Sequence, residues 1–154
     1  MPAYFLRIAN AVKSALAGIS GAPSTIVVRE EDGVKPRDSY PIVIITLGEE
    51  GLDPQLDVTG GTTADDQGDI GVTYPIGVSI YREKFGNTTA DDTNLSYVQR
   101  AQQVLGRARP FGEVPTVYRG ELVRNSAWEG QEHAKGIEVS RFAVIFHNAE
   151  PRCG

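Results

Sequence analysis

The chain has little with which to do metal, disulfide or thiol chemistry. Its 154 residues include one cysteine, Cys153, and two histidines, His133 and His147. One thiol excludes a disulfide framework and a four-thiolate zinc site, and two histidines cannot make a His-rich metal centre. A free thiol one residue from the end fits a reducing compartment. Long apolar runs are also missing. No stretch approaches the ~18 residues of a membrane span, so no membrane partner is expected. The segment Met1–Ile19 contains Arg7 and Lys13 and no unbroken apolar core. It is therefore expected to be a helix rather than a leader. Without export, the glycosylation-type triplets at 87–89 and 94–96 carry little meaning. Excess positive charge is missing too. Fifteen Lys+Arg stand against twenty Asp+Glu, for a net charge of −5. That argues against a domain that holds nucleic acid through overall positive charge. No nucleophile elbow, phosphate loop or dinucleotide glycine pattern occurs.

What is present is ordinary globular composition, with 40% hydrophobic and 23% charged residues. The length suits one domain, 1–154, with a real core. Seventeen Gly and nine Pro predict many turns and at least one long loop. Phe5, Ile8, Val12, Leu16 and Ile19 form one helical stripe. Ser24–Arg29 is β-branched and reads as a strand. Pro41–Leu47 reads as a central strand buried on both faces. These two strands are expected to form a hairpin. Residues 48–71 lack periodicity and make a long acidic loop between central strands. Val72, Tyr74, Ile76, Val78 and Ile80 alternate as a strand, and Pro75 within it favours an edge or a bulge. Asp91, Asp92 or Thr93 is a candidate cap for a helix carrying Leu95, Val98, Ala101 and Leu105, with Arg107 and Arg109 at its basic end. Val117–Arg124 and Gly136–His147 read as closing strands. The inward parity of the last one changes between Val139 and Phe142, which predicts a bulge near Ser140. Residues 148–154 are expected to fray. The order is α-β-β-long loop-β-α-β-β. It predicts an α+β fold, with two helices on one face of a mostly antiparallel (mixed) sheet of about five strands. Thr-Thr-Ala-Asp-Asp occurs at 62–66 and 88–92 but is too short to define a repeat.

Chemistry is sparse and charge is uneven. Neither histidine has a partner motif, so no catalytic residue, metal ligand or cofactor is assigned. Glu49, Glu50, Asp53, Asp57, Asp65, Asp66 and Asp69 give the long loop −7, with no Lys or Arg between them. They lack calcium-loop spacing and define no glycosidase-type carboxylate pair. They read either as a solvated loop or as a charged interaction surface. From 100 to 124 the sign reverses: Arg100, Arg107, Arg109, Arg119 and Arg124 outnumber two glutamates, for +3. Eleven of the fifteen basic residues are arginine, whose planar fork suits interfaces. These arginines either pair locally or meet the acidic loop of another copy head-to-tail, which closes into a ring if the rotation allows. Trp128, in a loop, either packs back on the sheet or anchors a partner.

The stripe Phe5–Ile19, the strand 41–47 running into the loop 48–71, the strand 72–80, the helix 95–105 and the closing pair around Tyr118 and Phe142–Phe146 together resemble tail terminator (tail completion) proteins of tailed bacteriophages. The resemblance is one of organisation across most of the chain. It implies a non-enzymatic virion protein, assembled in the host cytoplasm as a hexameric ring that caps the tail tube and joins it to the head. It also implies partners: other copies of the chain, a tail tube protein and a neck or connector protein, with DNA only in transit. By the same resemblance the acidic loop projects towards the tube or lines the channel, where it repels DNA phosphates. Related neck and head–tail connector subunits are the rival within this class. A different class is a small ligand-binding domain or enzyme with 48–71 as its lid.

Overall fold

The computed structural model describes residues 3–29, 41–47, 55–57, 70–83, 89–123, 128–132 and 137–150. The elements are α1 (Tyr4–Ala17), β1 (Thr25–Arg29), β2 (Ile42–Leu47), β3 (Gln55–Asp57), β4 (Ile70–Glu83), α2 (Thr89–Leu105), β5 (Val117–Leu122), β6 (Trp128–Glu132) and β7 (Ile137–Glu150). The fold is α+β, as its element order predicts. The sheet follows the path β1-β2-β4-β7-β5, with β3 added on β4 and β6 on β7. Its spine is the antiparallel pair β4/β7, in register from Ile70↔Glu150 to Glu83↔Ile137. Fourteen residues per strand make the spine roughly 45 Å long. Each long strand has two shorter partners along its outer edge. β3 and β2 lie along β4, and β5 and β6 lie along β7.

Alternation on these strands builds two apolar faces. Val43 and Ile45, Ile76, Val78 and Ile80, and Phe142, Val144 and Phe146 share one core with Ile8, Val12 and Leu16 of α1 and Tyr97, Ala101 and Leu105 of α2. Both helices therefore cover this face. The α1 stripe is buried at the predicted positions Ile8, Val12 and Leu16. On the other face Ile42, Ile44, Tyr81 and Val139 make a smaller cluster. β2 is buried on both faces and central, as its continuous apolar run predicts.

Several expectations are corrected. β1 and β2 pair in parallel, Thr25↔Ile42 to Arg29↔Thr46, and form no hairpin. Twelve residues separate them, enough for the crossover a parallel pair needs. β7 carries no bulge at Ser140, since its ladder with β4 is unbroken there. Val139 points to the second face and Phe142 to the helix face, which accounts for the parity change. The irregularities lie on the partner strands, between Val117 and Arg119 and between Trp128 and Gly130. Pro75 is not on an edge strand. It falls between the β3 partner of Thr73 and the β2 partner of Ile76, so on that side no ladder bond is lost. α2 starts at Thr89, which puts Asp91, Asp92 and Thr93 inside the helix. The 48–71 stretch contains β3 and the start of β4. Trp128 opens a strand rather than lying in a loop. β7 runs to Glu150, three residues into the segment expected to fray, and Asn148 is fully buried.

The two helices are locked together at one buried polar contact. The Tyr97 hydroxyl donates to the Leu16 carbonyl at 2.9 Å, and the Arg82 guanidinium lies over the Tyr97 ring at 5.7 Å. Burial pushes the Tyr97 phenol up to about 12, while Arg82 opposes the rise. Burial also pushes the Tyr74 phenol up, reinforced by its hydrogen bond to Glu150. For both groups the fold favours the neutral form. Their stabilisation is complete below the unfolded value near 10 and is lost as the pH rises through the folded value. The protein is expected to lose on the order of 2 kcal/mol between pH 10 and 12 through Tyr97. Chemical denaturation across that range checks this, and Tyr97→Phe should flatten part of the decline.

Candidate functional site: an arginine-bearing sheet edge

The structure divides the predicted interaction residues into two sets. Glu49, Glu50, Asp53, Asp65, Asp66, Asp69 and Arg124 lie outside the described residues. Asp57 is the last residue of β3, paired with Gly71. Trp128 is the first of β6, opposite Ser140. Arg100 is exposed on α2. Arg119 lies on β5 and pairs locally, its Nη2 2.8 Å from Glu121 Oε1. Arg107 and Arg109 are exposed but do not sit on the helix, whose last residue is Leu105.

Their position follows from how α2 ends. The Gly106 N–H donates to the Gln102 carbonyl at 2.8 Å and closes the helix. The chain then turns along the outer edge of β5. The Gly120 N–H donates to the Arg107 carbonyl at 2.8 Å, and the Arg109 N–H donates to the Tyr118 carbonyl at 3.1 Å. Ala108 sits opposite Arg119 in an antiparallel bridge. This short pairing covers the β5 edge, which would otherwise be an open template for another strand. Arg109 adopts φ 49°, a left-handed conformation uncommon for arginine. Pro110 and Phe111 then turn inward, and the Phe111 ring packs on Phe146 with centroids 5.0 Å apart. Two hydrogen bonds on one side and a buried aromatic on the other hold the strained residue in place.

Gly120 makes the arrangement possible. A Cβ there would lie 1.8 Å from the Leu105 carbonyl oxygen and 3.1 Å from Phe146 Cε1. Only a residue without a side chain lets the end of α2 rest directly on β5. Beside this edge a shallow cleft of about 270 Å³ runs between α1 and the segment after α2, lined by Ser14, Ala15, Val104, Arg107, Pro110, Phe111 and Glu113. A second, of about 230 Å³, continues it past Arg7 and Asn10. Neither contains a histidine or a cysteine.

A second polar group lies on the sheet near β5. His147 Nε2 is 3.5 Å from Glu121 Oε2 without hydrogen-bond geometry, and its ring is 6.0 Å from Tyr118. Asn148 donates from Nδ2 to Glu150 at 3.2 Å, and its buried Oδ1 has no partner among the described residues. Sequence reasoning singled out His147 only as an unpartnered histidine. Its proximity to Glu121 depends on the β5/β7 register, which no local pattern encodes.

No protein-family model and no curated protein matches the sequence. Among solved structures the fold is similar to a chain of the "virion of native gene transfer agent (GTA) particle". The TM-score is 0.51 at 13% identity, and the alignment covers 94% of this chain and 95% of that one. At that identity the likeness is one of fold. It runs along nearly the whole of both chains. No helix among the described residues is long and apolar enough to cross a membrane.

Proposed function

We propose that this chain is a structural component of a virion-type particle and, within that class, a tail terminator subunit. It would assemble as a ring, a hexamer by the resemblance, that caps a tail tube and joins it to the neck. The observation that carries this is the near full-length fold likeness to a chain of a gene transfer agent virion. The narrower reading, a tail terminator, rests on the resemblance of the element order to that family. The described site supports a structural role. Its exposed groups include Arg107 and Arg109, held on a backbone edge where their donors suit a protein partner. Other copies of the chain, a tube protein and a neck protein are the partners, with DNA only in transit.

The acidic stretch gives the test. Asp57 and Gly71 are already opposed across the β3/β4 ladder. Replacing Thr59–Asp69 with Asn-Gly therefore supplies a short hairpin connection and preserves the strands on either side. The variant is expected to fold, seen as an unchanged circular dichroism spectrum, and to fail in joining heads to tails when it replaces the normal chain. Particles that assemble and deliver DNA normally without the segment would remove the role assigned to it.

A further inference from the structure

One row of the sheet runs from β3, which lies within the acidic stretch of the sequence, to the Arg107–Arg109 segment on the opposite edge. Along it Gln55 of β3 neighbours Thr73 of β4, Thr73 neighbours His147 of β7, His147 neighbours Arg119 of β5, and Arg119 neighbours Ala108. Ala108 lies between Arg107 and Arg109. β3 lies within the stretch 49–69, which carries −7 and no basic residue. Four strand spacings, about 19 Å, separate the two edges.

The arginine edge is built to present charge. Its backbone is fixed to β5 by two hydrogen bonds, so the side chains start from a rigid base. Both are exposed, and among the described residues neither guanidinium has a hydrogen-bond or ion-pair partner. Arg119 differs, because Glu121 already neutralises it. Two fixed arginines with unused donors suit carboxylates, which the planar fork can bind through paired hydrogen bonds. The carboxylate-rich stretch 49–69 of this same chain contributes β3 to the far edge of the row.

We propose that Arg107 and Arg109 dock the carboxylate-rich segment 49–69 of a second copy of this chain. Copies then associate head-to-tail, with opposite charges meeting at each junction. This rests on the assembly proposed above for its partner and names the contact that makes it. Complementary patches on opposite edges make a heterologous interface, the kind that propagates into rings when the rotation closes. The charge balance agrees: outside 49–69 the chain sums to +2.

A charge-swap mixture tests it on the full chain. One variant carries Arg107→Glu and Arg109→Glu. The other carries Glu49→Lys, Glu50→Lys, Asp53→Lys, Asp65→Lys, Asp66→Lys and Asp69→Lys, which takes the 49–69 stretch from −7 to +5. Each alone sets like charges against each other at every junction. Self-association, read as solution mass against concentration, is expected to weaken by about a hundredfold or more. In a one-to-one mixture both kinds of junction become complementary again, and the wild-type mass should return. That recovery also shows that both variants fold. Normal self-association of the single variants, a mixture that stays monomeric, or a wild-type chain that is monomeric over the same range would each overturn the proposal. Recovery in the mixture, with the protein absent from the head–tail junction, would keep this interface and remove the tail role.

Discussion

Gly120→Ala is expected to lower folding stability by about 3 kcal/mol, the upper end of the usual overpacking cost. The new methyl would sit 1.8 Å from the Leu105 carbonyl oxygen, and backbone cannot rotate away as a flexible side chain can. To make room, the end of α2 must lift from β5. Lifting it strains the Gly120–Arg107 hydrogen bond and exposes Leu105, which is fully buried. A domain of this size loses roughly 2–4 °C in melting temperature per kcal/mol, so a drop of roughly 6–12 °C should appear in a thermal melt. Gly112→Ala is the control, because nothing lies within 4 Å of a Cβ there. Equal, small shifts in both variants would mean that α2 does not rest on Gly120.

Phe146→Ala is expected to cost about 3–5 kcal/mol, as for other fully buried aromatics. Phe146 is 0% exposed in the helix-side core and is the packing partner of Phe111. The loss combines the transfer energy of the ring with the cavity left behind. Marginal stability of roughly 5–15 kcal/mol leaves little margin for it. There is a second consequence. Phe111 anchors the far side of the Arg107–Arg109 turn, so the truncation should loosen that turn as well as the core. Hydrogen exchange at the Arg109 and Gly120 amides, both bonded across this edge, should rise above the change at amides of β2. A uniform rise across the protein would separate the ring's contribution to the core from any hold on the edge.

The parts of the fold visible in the sequence were those governed by local periodicity. The α1 stripe, the doubly buried β2 run and the alternation of β4 each follow from side-chain spacing, and together they define the α+β class. Pairing was less legible. Ser24–Arg29 and Pro41–Leu47 look the same to a pattern reader whether they run parallel or antiparallel, and the twelve intervening residues suit either geometry. The parity change in β7 misled for a related reason. A bulge and a strand with apolar residues on both faces produce the same local sequence, and only the cluster of Val139 with Ile42, Ile44 and Tyr81 separates them. At the arginine edge, composition flagged Arg107 and Arg109 and the helix dipole suggested a terminus. Their actual seat depends on a backbone bridge to β5 and on the close approach at Gly120. The glycine was visible in the sequence, but what it must accommodate was not.

The most direct measurement is localisation of this chain in purified particles. A labelled copy imaged by electron microscopy, with copy number from quantitative mass spectrometry, would show where it resides. The proposed function predicts one small cluster per particle, confined to the junction between tail tube and head, in the copy number of a single ring. Label distributed along the tube or over the head, or absent from particles altogether, would contradict it.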